Sequence, residues 1–353
     1  MSSTATTPVS SLVNHQVRLA SRPSGLPTPG NWSFTTEPVA EPGPGGVLVK
    51  TLYLSLDPAM RGWMNEGKSY IPPVEIGAVM RAGGVGKVIA SNNPAFAVGD
   101  YVNAGLDVQE YCLFPEDKIK RSGMFKIDPR LGLTTWLNVL GMPGMTGYFG
   151  LMEVGLPKAG ETVVVSGAAG AVGQTVGQTV GQVAKIKGCR VVGIAGGKAK
   201  CDWVVKELGF DACIDYKNDD LKAGLKEHCS KGVDIYFDNV GGDILDTVLT
   251  RITRGARIII CGAISQYNNT TPVKGPANYL SLLVNRARME GIVVFDYADR
   301  YHLGVAELSG YLKAGKMKSR EDVVEGLSTF PETLLKLFNG ENFGKLVLQV
   351  AKD

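Results

Sequence analysis

Two rhythms of apolar and polar positions run along this chain, and they change near residue 130. From about 15 to 130, short apolar stretches are broken by loops. The runs 46–56 (GVLVKTLYLSL) and 83–90 have strand character, and the turn Val98-Gly99-Asp100 precedes another short strand. The segment 23–44 holds six prolines, at 23, 27, 29, 38, 42 and 44, and must be extended or turning. From about 131 to 300, apolar strands alternate with amphipathic helices. The pattern predicts strands at Thr162–Ser166, Arg190–Ala195, 212–216, 234–239, 257–262 and 291–295, with helices such as 219–229 between them. Six short apolar strands separated by helices predict an α/β fold built on a parallel, doubly wound sheet. The tail predicts a helix at 331–339, with Pro331 near its start and Gly340 closing it, and a last strand at 345–350 returning to the first unit.

The organisation expected is therefore a β-rich substrate or catalytic domain at 1–130, its first 13 residues a disordered tail. A dinucleotide-binding domain follows at 131–315, and a C-terminal segment, 316–353, returns to the first domain. A length of 353 residues suits about two domains. With 44% apolar and 20% charged residues the composition is that of an ordinary soluble protein. The formal charge of +3 is small and dispersed, so neither nucleic acid nor a membrane surface is an expected partner. The first residues are rich in Ser and Thr without a basic start or an apolar core, so no secretory signal is expected and the cytoplasm is the expected compartment.

Six cysteines form no CxxC pair, and several fall in strand-like runs, which predicts buried free thiols. Of the three histidines only His228 stands near a cysteine, Cys229, and adjacent residues reach one ion poorly. No metal site is expected.

Residues 163–173, VVVSGAAGAVG, run from an apolar strand straight into a glycine-rich turn, with Gly170 and Gly173 three apart and a helix-compatible run to Lys187. Backbone amides and a helix N-terminus in this arrangement receive a pyrophosphate, although Ala168 stands where GxGxxG has its first glycine. The strand Arg190–Ala195 ends where an NAD-binding fold places a carboxylate for the ribose hydroxyls. None is present: between Glu161 and Asp202 there is no Asp or Glu, and the chain continues Gly196-Gly197-Lys198-Ala199-Lys200. A ribose 2′-phosphate is repelled by an acid there and attracted by lysines, so the expected cofactor is NADPH.

Carbinol oxidation needs zinc or a lysine-activated tyrosine to move the hydroxyl proton. Zinc is disfavoured, and none of the twelve tyrosines has a lysine four residues later. Reduction of a polarised C=C bond remains, in which the protein stabilises a developing enolate with a neutral donor. A neutral tyrosine is a sufficient donor, and Tyr267, among polar loop residues, is the best candidate for chemistry.

Here the chain resembles a family. Over about 14–350 it is similar to the zinc-independent medium-chain dehydrogenase/reductases, in the branch of alkenal double-bond reductases. The resemblance is carried by LYLSLDPAMRG (52–62), LGMPGMTGYFGL (140–151), GAAGAVG (167–173), GFDACIDYK (209–217), DIYFDNVGG (234–242), CGAISQYN (261–268) and NFGKLV (342–347).

It implies a Rossmann-type domain beside a GroES-like catalytic domain, NADPH-dependent reduction of 2-alkenals or enones, and a homodimer paired through the strand around 289–295. Gly170, Ala171, Val172 and Gly173 match the pyrophosphate turn. Gly196, Lys200 (or Lys198) and Tyr216 match the 2′-phosphate site. Asn239, Cys261, Ile264, Ser265, Phe295 and Asn342 match positions around the cofactor. Tyr267 matches the tyrosine that hydrogen-bonds the substrate carbonyl, and Tyr53 a second tyrosine of the pocket. From spacing alone, Tyr53 and Tyr216 suit plain sheet packing equally, and Asn239 and Asn342 suit turns. Quinone reduction and a non-catalytic NADPH-binding role are the rival readings.

Two departures from the family stand out. The unit QTVG occurs twice, at 174–177 and 178–181, so that seven residues separate Gly173 from the GQVAK segment where members usually have three. Four extra helical residues add about 6 Å and roughly 40° of rotation, so deleting one unit is expected to raise the melting temperature. The stretch 103–111 (NAGLDVQEY) also differs from the usual rim sequence.

Overall fold

Six strands of the second half of the chain form one parallel sheet. In space they run Ala212–Asp215, Arg190–Ala195, Thr162–Ser166, Val233–Asp238, Ile252–Ile260 and Arg288–Gly291. Numbered along the chain this is the order 3-2-1-4-5-6 of dinucleotide-binding domains, with the strand order reversing between the first and fourth strands. Thr162–Ser166 is buried at every residue, as a central strand covered on both faces must be. The computed structural model describes residues 8–169 and 173–353, so Gly170, Ala171 and Val172 of the expected pyrophosphate turn lie outside the described residues.

The expected strands are present with shifted ends. Ile252–Ile260 is longer than the predicted 257–262, because its first half carries Thr253, Arg254 and Gly255 and shows no apolar run. The prediction at 291–295 is corrected. The strand is Arg288–Gly291, and the apolar GIVVF that suggested it mostly lies beyond it, with Ile292 and Val294 buried in the core and Phe295 exposed. Those residues are apolar because they line the inner rim of a cleft.

The helix Gly173–Ile186 shows how the duplicated QTVG is accommodated. A Cβ on Gly177 would stand 3.2 Å from Ala168 Cα and 3.2 Å from Val165 Cγ1. Close helix-to-strand approach is the role of the fingerprint's last glycine, and in this chain Gly177 fills it, one repeat unit beyond Gly173. Gly181 packs more closely still, since a Cβ there would overlap Phe210 Cζ. The glycines of the repeat thus serve packing.

The second sheet joins the two ends of the chain. Its order is Glu321–Glu325, Lys345–Gln349, Val47–Ser55, Gly83–Ser91, Tyr101–Gly105 and Phe125–Lys126, with Tyr111–Phe114 pairing separately with Val47–Ser55. Lys345–Gln349 inserts antiparallel to Val47–Ser55 and parallel to Glu321–Glu325. The helix before it, Phe330–Asn339, starts with Pro331 and ends at Gly340, whose φ of 68° is the left-handed cap expected there. Buried Phe330, Leu334 and Leu337 of that helix close the core of this sheet. Among the described residues, no helix is long and apolar enough to cross a membrane.

Candidate active site

The carboxyl ends of the parallel strands face residues 57–70 of the other sheet's domain across a cleft of about 140 Å³. Ligands of doubly wound sheets bind at this end, beside the reversal of strand order. Asp57, Trp63, Tyr70, Cys261, Tyr267 and Phe295 are among its walls. Tyr267 follows the single turn Ile264–Gln266, and its phenol oxygen accepts a hydrogen bond of 3.2 Å from the Ala263 N–H. Burial pushes the phenol up to about 12, so it is a neutral O–H donor throughout the physiological range. Burial likewise pushes the Cys261 thiol up to about 12. Tyr70 and Phe295 reach over the opening from opposite sides, their ring centroids 6.3 Å apart.

A buried ion pair makes the floor. Lys345 Nζ donates to Asp57 Oδ1 at 2.6 Å and to the Leu56 carbonyl at 2.8 Å, and Ser55 Oγ donates to the other Asp57 oxygen. Lys345 is 5% exposed and both ionic groups border the cleft. Removing one partner of such a pair costs about 3–5 kcal/mol, because the other charge is stranded. The pair pins the C-terminal strand to the loop that follows Val47–Ser55.

At the reversal point, Asp238 is fully buried and its Oδ1 accepts from Ser166 Oγ, Tyr236 OH, Val240 N and Gly241 N at 2.8–3.0 Å. Burial still raises its carboxyl above the ordinary range. Asn239 spans the same two strands, donating to the Ser166 carbonyl at 2.9 Å, while its buried Oδ1 has no partner among the described residues. Ser265 Oγ donates to the Val240 carbonyl at 2.6 Å, and Ile264 begins the same turn. These bonds hold the Cys261–Tyr267 loop against the turn at 239–242.

The cations separate clearly. Lys198 is spent on Asp202 at 2.7 Å on the surface. Lys200 instead turns under the C-terminal loop and donates to the Gly340 carbonyl at 2.7 Å. Burial, and then the charge of Lys217, hold its ammonium below the usual lysine range. A Cβ at Gly196 would stand 3.0 Å from both the Tyr216 hydroxyl and Lys217 Cε, so a side chain there would fill the space between them. Asp215, the nearby acid, is consumed: it accepts from Gly197 N, Lys217 N and Asn218 Nδ2. The result is a cradle of two lysines and a tyrosine, the donor set a ribose 2′-phosphate requires.

The fold therefore brings Tyr267, Cys261 and Phe295 together in the cleft, and Gly196, Lys200 and Tyr216 at the cradle. Tyr53 lies within its strand, half-buried against the core, and is absent from the cleft walls. Asn342 is fully buried and donates to the Gly344 carbonyl at 3.0 Å. Gly173 begins its helix. Three residues emerge that sequence reasoning missed. Lys217 directly follows Tyr216 and was legible as a third cation, whereas Tyr70 and Lys345 carry no periodic or spacing signal. Among the described residues, no three His, Cys, Asp or Glu side chains gather to hold a metal ion.

Residues 15–122 match the family described as the N-terminal domain of oxidoreductase, and 175–309 the one described as zinc-binding dehydrogenase. The chain is 44% identical to an NADPH-dependent curcumin reductase of Escherichia coli (strain K12), covering 96% of this chain and 98% of that protein. It is 42% identical to a 2-alkenal reductase (NADP(+)-dependent) of Nicotiana tabacum over the same shares. The crystal structure of CurA in complex with NADPH from Vibrio vulnificus superposes with a TM-score of 0.89 at 42% identity, covering 96% of this chain and all of that one (100%). The chain belongs to the medium-chain dehydrogenase/reductases, in the branch of alkenal double-bond reductases.

Proposed function

We propose that this protein uses NADPH to reduce the carbon–carbon double bond of α,β-unsaturated aldehydes and ketones. The observation that carries this reading is Tyr267, a neutral phenol in the cleft whose oxygen accepts from the Ala263 N–H while its own proton finds no acceptor among the described residues. When bound, NADPH supplies the hydride that adds to the β-carbon. Lys200, Lys217 and Tyr216 hold the 2′-phosphate, and the polar groups of Asn239, Ser265 and Asn342, with Gly173, Cys261, Ile264 and Phe295, border the rest of the cofactor. Tyr267 donates to the carbonyl oxygen, where negative charge grows as the enolate forms; such preorganised donors matter most where water is excluded. The α-carbon then takes a proton from water or the phenol. Trp63, Tyr70 and Phe295 offer the aromatic walls that suit a flat conjugated substrate.

The same reading includes the division at about 130 and 315, a cytoplasmic setting and a homodimer. For the dimer, the supporting surface is the edge strand Arg288–Gly291 with the neighbouring helix Leu280–Asn285, on which Leu280, Leu283 and Val284 are exposed.

The test follows nicotinamide absorbance with a medium-length 2-alkenal, in parallel with NADPH and NADH. Rapid loss with NADPH alone, yielding the saturated aldehyde, is expected. Tight NADPH binding without turnover would overturn the reading and lead to quinone acceptors next.

A further inference from the structure

Two thiols outside the cleft touch one another. Cys201 lies in the first turn of the helix Lys198–Lys206, and Cys213 on the strand Ala212–Asp215, and the Cys213 thiol donates to the Cys201 sulfur at 3.0 Å. All six cysteines are free. Among them this pair alone has sulfurs in contact across two elements.

Its position gives the contact a consequence. Cys201 adjoins Lys200, and Cys213 lies on the strand that delivers Tyr216 and Lys217, so the sulfurs link the two halves of the anion cradle. The same helix carries the C-terminal loop. Trp203 packs edge-on against Phe343 with centroids 5.4 Å apart, and Lys200 holds the Gly340 carbonyl. A change between helix and strand therefore reaches Lys200, Lys217 and the loop bearing Asn342.

We propose that Cys201 and Cys213 form a reversible disulfide with peroxide as oxidant, and that closing it weakens NADPH binding. The second half rests on the reading of the Lys200–Tyr216–Lys217 cradle as the 2′-phosphate site. In the first step the Cys201 thiolate attacks one peroxide oxygen, the O–O bond breaks, and the departing hydroxide takes a proton to leave as water, giving a sulfenic acid. In the second step the Cys213 sulfur attacks Cys201, the S–O bond breaks, and the thiol proton leaves with the hydroxyl as a second water. Two thiols are oxidised by two electrons and one peroxide is reduced to two waters.

The roles follow from the contact. The hydrogen bond from Cys213 lowers the Cys201 thiol, which makes Cys201 the attacking sulfur. Burial raises the thiols of Cys112, Cys189, Cys229 and Cys261, so these four are poor competitors. Cys213 is itself raised, chiefly by its bond to Cys201, and that restraint disappears once Cys201 is oxidised. A disulfide needs its sulfurs about 2.05 Å apart. Closure therefore brings the two sulfurs about 1 Å closer and ties the helix covalently to the strand beside the cradle.

The full-length protein, treated with hydrogen peroxide, alkylated and digested, is expected to yield the 201 and 213 peptides joined, and dithiothreitol should separate them. The oxidised protein should show a KM for NADPH raised at least about threefold, corresponding to ~0.65 kcal/mol. Cys213→Ser treated identically should keep its KM and display a dimedone-reactive sulfenic acid at Cys201. Recovery of both cysteines alkylated overturns the proposal, as does a joined pair with unchanged KM. Lys200→Ala separates the two readings. If that variant keeps its NADPH preference while the peptides still join and KM still rises, the phosphate assignment falls and the disulfide site stands.

Discussion

The phenol oxygen of Tyr267 accepts from the Ala263 N–H at 3.2 Å, which fixes the ring without spending its proton. An oriented donor with nothing to donate to is what an enolate-stabilising group requires before substrate arrives. Tyr267→Phe is expected to lower kcat by about 100-fold with NADPH affinity unchanged, measured by steady-state kinetics and cofactor titration. Because burial pushes the phenol up to about 12, the wild-type contribution of this proton should stay level from pH 6 to about 9. A loss of activity centred in that range would assign the step to another group.

Burial, and then the charge of nearby Lys217, lower the Lys200 ammonium, whereas Lys198 is neutralised by Asp202. Charged hydrogen bonds of this kind are worth about 1.5–3 kcal/mol. Lys200→Ala should therefore raise KM for NADPH roughly 10- to 100-fold and leave KM for NADH unchanged. Lys198→Ala should change neither. Comparing the two cofactors in each variant decides which lysine reads the phosphate.

In the helix Gly173–Ile186, Gln178 and Thr179 are fully buried, and among the described residues neither polar atom of the Gln178 amide nor the Thr179 hydroxyl has a partner. A buried, unpaired polar group costs about 1–3 kcal/mol. Gln178→Met, similar in length and free of that cost, is expected to raise the melting temperature by several degrees. Deleting one QTVG unit should also raise it, since Gly173 could then seat where Gly177 does. Calorimetry of both variants is the check, and a fall in either would mean that the extra turn is integral to the packing.

Asp107 has a φ of 58° and borders a separate groove of about 490 Å³ near the N-terminal strands. Burial pushes its carboxyl up to about 6, against an ordinary 3.8. Between those values the folded protein holds a proton that the unfolded chain has released. Stability therefore falls as pH rises through this window, and the penalty is complete above about 6. Asp107→Asn removes the charge and keeps a residue type that tolerates the left-handed region. It should stabilise the protein by on the order of 1–2 kcal/mol at pH 8, with the gain vanishing near pH 4. Melting curves at the two pH values test this.

The alternation of apolar strands and amphipathic helices was enough to predict the parallel sheet, since strands covered on both faces must be apolar throughout and leave a local trace. The missing acid after Arg190–Ala195 and the lysines that follow it were equally local, so the cofactor was legible as well. What one dimension could not decide was which residues meet. Lys345 pairs with Asp57 across 288 positions, and the contact exists only because the last strand enters the first sheet. GIVVF has the composition of a strand, yet its pairing ends with the Ile292 N–H bonded to the Ile260 carbonyl, and Ile292 and Val294 are buried beside the cleft. In the repeat Gly177 reads like any other glycine, and its seat on Val165 and Ala168 exists only in the fold. Sequence fixes what each segment prefers by itself, whereas the cleft, the cradle and the touching thiols depend on long-range packing that no local preference encodes.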